Sequence, residues 1–366
     1  MVENVIKILS CGLQTLGYAT FACSNDHCSH TKIVCFSCKG RFCNTCGHKA
    51  TEQWIANQNS SLPQTEWQHI TFTIPGELWV LFHDNRHLLG DLSRLAAKAI
   101  LKLAKQKGIT PGIFTALHTF GRDLKWNVHV HLSVTRGGLT EDKNVWKSVY
   151  FAKQVIMPMW RYEIINLLRK TYGSLTLPDY LKTECETPVG WNRWLNQHYQ
   201  KFWMVHFAKA TKNHKKNVKY LGRYIKRPPL AQSRLEHYDG NRVIFNYLDH
   251  KTKTHRRFDC EAEDFITRLI QHIPDKGFRL IRYYGFLANR VRGNLLPKVY
   301  NLLDQPKKNA QPLRWPQLLK ASFGKDPLEC ILCQSVLVLK ERTIGKSLNE
   351  LHRYHYHLAL MKPIAC

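Results

Sequence analysis

"WNVHVHLSVTRGG", residues 126–138, decides how the chain is read. Val128, Val130 and Leu132 alternate with His129 and His131, the period-two pattern of a strand with one buried face. On such a strand both imidazoles project from the same side. They are then either core histidines satisfied by their neighbours or a pair of ligands for a divalent ion. A neighbouring strand would supply a third ligand. His118 in "ALHTFG" is the first candidate, with Asp123 the alternative.

Outward from this stretch, "WQHITFTIP", "GIFTALHTF" and "KFWMVHFAKA" are also β-rich. Between the first two, "HLLGDLSRLAAKAILKLAKQKG" has helical periodicity and a glycine stop. Strands interrupted by a helix predict an α+β domain. Residues from about 140 to 198 read as a helical insertion. "NVKYLGRYIKRPP" reads as a basic helix ended by Pro228 and Pro229. Further on, "RVIFNYLD" and "HRRFDC" form a hairpin, "AEDFITRLIQHI" a helix, and "FRLIRYYGFL" a strand or short helix. The expected organisation is a module over 1–52, a larger domain over 66–295 and a basic C-terminal region over 296–366.

Composition narrows the partners. Among 366 residues, 54 Lys and Arg face 27 Asp and Glu, a formal net charge of +27 that draws polyanions over a broad surface. Nucleic acid is the first partner implied. No apolar stretch reaches transmembrane length and no signal segment opens the chain, so an intracellular, membrane-free protein is expected.

Seven of the twelve cysteines crowd into residues 11–46. In a short polar segment that density points to thiolate metal ligands and a module folded around zinc. Cys23 and Cys28 form C-x4-C, Cys43 and Cys46 form C-x2-C, and together they are the expected tetrahedral set. Cys38 and Cys35 are further candidates, and His27 and His30 minor ones. Cys330 and Cys333 either join this module or are simply buried. Arg41, among the knuckles, suits a DNA phosphate.

Tyr220 and Tyr224 stand four apart, so a helix would present both phenols on one face. By spacing alone they are two aromatics at the edge of a core. Lys216, Lys219, Arg223, Lys226 and Arg227 surround them with positive charge, as a phosphate-handling site requires.

Together, "CKGRFCNTCGHK", "LHTFGRDLKWNVHVH", "KYLGRYIKRPP" and "IPDKGFRLIRYYGFLANR" resemble the two-tyrosine HUH transposases of the insertion sequence ninety-one type, in that family's order, over residues 20–295. Val128 stands where the family commonly has Pro, and C-x4-C where it often has C-x2-C. The resemblance implies an HUH endonuclease fold, a central antiparallel sheet flanked by helices, beside a small zinc-binding module. It also implies that His129 and His131 bind Mg²⁺ or Mn²⁺ and that Tyr220 and Tyr224 are nucleophiles. The implied activity is nicking and rejoining of single-stranded DNA at hairpin-bearing element ends through a 5′-phosphotyrosine, in rolling-circle-like transposition within a bacterial cytoplasm, at the nucleoid. A replication initiator or relaxase shares that site chemistry. A zinc-ribbon DNA-binding protein without catalysis is the rival of a different class.

Overall fold

The structure is a computed structural model that describes residues 2–210, 218, 222, 228–249, 252–306 and 313–360. Its contacts divide the chain into two units. One comprises Met1–Gln58, Gly222–Asp275 and Ala310–Cys366, and the other Asn59–Leu221 and Lys276–Asn309.

The second unit is built on a six-stranded sheet. Its strands are β3 (Trp67–Thr73), β4 (Ile109–Phe120), β5 (Trp126–Thr140), β6 (Trp146–Ser148), β7 (Val205–Phe207) and β11 (Ile281–Gly285), in the order β11-β4-β5-β3-β7, with β6 paired to β5. Every pairing is antiparallel. The H-x-H strand β5 therefore lies in the middle, as expected. Alternation sorts the two faces. Ile70, Phe72, Ile113, Leu117, Val128, Val130, Leu132 and Val134 are buried on one side.

Helices cover that apolar side. Leu89–Gln106 contributes Leu92, Ala96, Ile100 and Leu103 at helical spacing, and a turn with Gly108 at φ +68° follows it. Lys153–Lys170 adds Ile156, Trp160 and Ile164, and Pro188–Gln200 adds Trp191 and Leu195. The insertion read from about 140 to 198 thus supplies a large part of the core. Each such aliphatic side chain contributes about 1.5–3 kcal/mol on burial. The Trp160 indole N–H donates to the Thr73 carbonyl at 2.8 Å, so its polar atom is satisfied at the sheet.

"YYGF" closes one edge of the sheet. Gly285 has φ +62°, and a Cβ there would lie 1.7 Å from the Pro111 carbonyl oxygen, so only glycine fits where β11 meets β4. Phe286 is fully buried, and its ring occupies the space beside Gly112.

The first unit holds two small antiparallel sheets. In one, β1 (Gly17–Cys23) lies between β2 (Thr31–Cys35) and β12 (Leu337–Ile344). In the other, β9 (Arg242–Leu248) lies between β8 (Leu235–Tyr238) and β10 (His255–Glu261), with Phe245 buried against Phe258 and Phe265. The hairpin expected from "RVIFNYLD" and "HRRFDC" is β9–β10. The division expected at residue 296 does not set the tail apart. The end of the chain groups with the beginning, because β12 pairs along the length of β1.

Candidate active site and cysteine centres

The face of the six-stranded sheet opposite the helices carries the histidines. Register places His118 of β4 directly across from His129 of β5, and Ala116 across from His131. The rings of His118 and His131 are 4.6 Å apart, and those of His118 and His129 5.4 Å. One nitrogen from each of the three imidazoles lies within 4.8 Å of the other two. Asp123, the alternative third ligand, is instead held in the β4–β5 turn, where it accepts from the Lys125 backbone N–H.

Hydrogen bonding aims the rings. His129 Nδ1–H donates to the Asn127 carbonyl at 2.8 Å, which leaves Nε2 with a free lone pair. His131 Nε2 is 3.1 Å from that Nε2. An octahedral ion with bonds of about 2.1 Å sets adjacent ligand atoms about 3 Å apart, so the spacing fits. Burial holds His129 below the ordinary histidine range. His131 is held well below it by burial and by the neighbouring His118, His129 and His69. The His129 and His131 imidazoles are therefore neutral near pH 7, the form that ligates a cation.

One contributor was missed in the sequence. His69 of β3 places Nε2 3.1 Å from His131 Nδ1 and stacks on that ring, while its own Nδ1 is 3.2 Å from Ser133 Oγ. Thr71 Oγ1 also approaches His131 Nδ1, at 3.4 Å. Alternation along "WQHITFT" was the available signal, since it puts His69 and Thr71 on one face. Which face meets β5 depends on strand pairing.

The cysteines gather differently from the set read in the sequence. Cys23 and Cys28 do not meet Cys43 and Cys46. Cys43 and Cys46 join Cys11 and Cys38, with Sγ–Sγ separations of 3.5 Å for Cys11–Cys43 and 3.6 Å for Cys11–Cys46 and Cys38–Cys46. Cys23 and Cys28 join Cys330 and Cys333. Four thiolates about 2.3 Å from a tetrahedral zinc ion stand about 3.8 Å apart, far from the 2.05 Å of a disulfide. Cys35 of β2 belongs to neither group. His30 lies beside the second group, with Nδ1 3.1 Å from Cys330 Sγ.

The phosphate contact expected of Arg41 does not fall on an open surface. Its Nε and Nη2 are buried without a hydrogen bond, and burial pushes the guanidinium down to about 10. Tyr220, Tyr224, Lys216, Lys219, Arg223, Lys226 and Arg227 lie outside the described residues.

An antiparallel sheet with an H-x-H strand at its centre, in a chain with a cysteine-rich module, is the HUH endonuclease architecture that the resemblance implied. A family model described as "Putative transposase" matches residues 112–294, and one described as "Transposase zinc-binding domain" matches residues 1–74. The chain is 43% identical to the transposase for insertion sequence element IS801 of Pseudomonas savastanoi pv. phaseolicola, over 99% of this chain and 88% of that protein. It is 27% identical to the putative transposase y4qJ of Sinorhizobium fredii (strain NBRC 101917 / NGR234), over 88% of this chain and 84% of that protein. No solved structure matches. The chain belongs to the IS91 family of transposases and carries an N-terminal zinc-binding domain. It is accordingly a DNA-cleaving and strand-transferring enzyme with DNA as substrate and zinc in a structural role. Among the described residues no helix is long and apolar enough to cross a membrane.

Proposed function

We propose that the chain nicks and rejoins single-stranded DNA by tyrosine transesterification, with Tyr220 and Tyr224 as nucleophiles and His118, His129 and His131 holding Mg²⁺ or Mn²⁺. The observation that carries this reading is the convergence of three imidazoles on one sheet face in a chain of a transposase family. Their all-nitrogen donor set suits Mn²⁺ better than the oxygen-seeking Mg²⁺. A divalent ion bound there supplies Lewis-acid polarisation of the scissile phosphate.

The chain's own groups carry the steps. A tyrosine phenolate attacks phosphorus, a tyrosyl O–P bond forms, and the P–O3′ bond breaks. The 3′ oxygen leaves and takes up a proton, while the 5′-phosphate stays on the enzyme. The phosphotyrosyl diester keeps the energy of the broken bond, so a 3′-hydroxyl can reverse the step without ATP. A second tyrosine permits a second covalent strand, which suits rolling-circle-like transposition through hairpin-bearing ends. Lys216, Lys219, Arg223, Lys226 and Arg227 neutralise backbone phosphates near the tyrosines. Cys11, Cys38, Cys43 and Cys46 hold the zinc of the N-terminal domain. The DNA substrate sets the work in the bacterial cytoplasm, at the nucleoid.

Incubation with a single-stranded oligonucleotide bearing the element's end, with Mn²⁺ and with chelator, tests the reading. Covalent protein–DNA adducts are expected only with metal, and Tyr220→Phe with Tyr224→Phe abolishes them. Adducts that persist in the double variant, or without metal, overturn it.

A further inference from the structure

Residues 295–366 fall outside both family matches, which end at 74 and 294. Within the first unit, the described part of this segment is nevertheless tied to the N-terminal module. β12 pairs with β1 from Gly17↔Ile344 to Cys23↔Leu337. The approach is close. Gly17 has φ +89°, and a Cβ on it would stand 2.6 Å from both the Thr343 carbonyl oxygen and the Gly345 nitrogen. At the other end of the ladder the pairing sets the "CILC" knuckle against the end of β1. There Cys23 Sγ lies 3.4 Å from Cys333 Sγ, and Cys28 Sγ 3.8 Å from Cys330 Sγ.

Ordinary packing does not account for this cluster. The two large apolar residues of the knuckle, Ile331 and Leu332, are 78% and 70% exposed, while the adjoining Cys330 is fully buried. A segment folded by the hydrophobic effect would turn the aliphatics inward. The backbone is also shaped as in the other cysteine group. Asn25 N–H points at Cys23 Sγ at 3.5 Å, as Gly40 N–H points at Cys38 Sγ at 3.3 Å. A positive-φ residue follows one cysteine of each group directly, Gln334 after Cys333 and Lys39 after Cys38. Such N–H groups stabilise thiolate charge. His30, with Nδ1 protonated, can donate to Cys330 Sγ in the same way.

We propose that Cys23, Cys28, Cys330 and Cys333 hold a second structural zinc ion, which staples the end of the chain onto the N-terminal module. Cys28 and Cys330 are 302 positions apart, so the ion closes a very long loop. The entropy of closure grows only as the logarithm of loop length, and four thiolate bonds to zinc exceed it readily. The C-terminal segment is then part of the zinc module, whose β1 has β12 as its outer partner. This inference stands independently of the tyrosine chemistry.

Zinc content of the full-length protein, purified under reducing conditions, tests it. Two zinc ions per chain are expected, falling to one in Cys330→Ser/Cys333→Ser and to one in Cys43→Ser/Cys46→Ser. In cobalt-substituted protein the thiolate-to-cobalt absorption should halve in each variant. Cys330→Ser/Cys333→Ser should also expose the C-terminal segment to limited proteolysis while the rest of the chain resists. One zinc ion per native chain overturns the proposal, as do two ions retained after loss of Cys330 and Cys333. If either variant fails to fold, release of zinc from the native protein by a mercurial decides, two equivalents supporting the staple and one excluding it.

Discussion

His69 shows how one side chain outside the H-x-H pattern can govern it. Its contact with His131 Nδ1 fixes the ring that must offer Nε2 to a cation. Removing such an orienting partner costs about 10- to 100-fold in metal affinity or activity. His69→Ala should therefore weaken Mn²⁺ binding by that order, measured by calorimetry, and shift the Mn²⁺ dependence of nicking to match. His69→Gln, which keeps a polar group in reach, should recover part of the loss, and equal affinity in all three proteins would remove the positioning role. His198 offers a test of stability away from that site. It is buried, its Nδ1 has no hydrogen bond, and burial, with Lys201 nearby, lowers its pKa. The unfolded chain then takes up a proton as pH falls through roughly 6.5 while the folded chain resists, so stability present above that pH is lost below it. His198→Leu should flatten the acid-side fall of the unfolding midpoint, and a fall as steep as the native one would count against this.

At the scale of elements, the strands and helices of the second unit were largely legible. Alternation in "WNVHVHLSV" and "WQHITFT" is a property of neighbouring residues, and it appears in β5 and β3. The period of "LGDLSRLAAKAILKLAKQ" likewise appears as the helix Leu89–Gln106. The family motif "YYGF" was legible as a motif but not in its role. The structure makes it a clasp between β11 and β4, with Gly285 at a backbone angle and a distance that exclude any side chain. Gly285→Ala should cost about 2 kcal/mol or more. Chemical denaturation would show this as a lower midpoint, and an unchanged midpoint would mean that the edge relaxes without strain.

Over the whole molecule, a net charge of +27 makes DNA affinity a matter of salt. Each neutralised phosphate of a single strand contributes a slope of about −0.7 in log affinity against log salt concentration. Replacing Lys216, Lys219, Arg223, Lys226 and Arg227 together by Ala should reduce that slope by roughly 3.5 in fluorescence anisotropy titrations. An unchanged slope would move the phosphate track elsewhere. The amino-acid sequence alone was sufficient for the α+β class, the shared face of His129 and His131 and a metal-binding role for the cysteines. All of these follow from residue type and local period. Tertiary structure alone decided which cysteines share a centre and that His69 backs His131. The reason is that each depends on strand pairing between distant segments, β12 with β1 and β3 with β5, and short-range spacing carries no record of which strand will lie alongside.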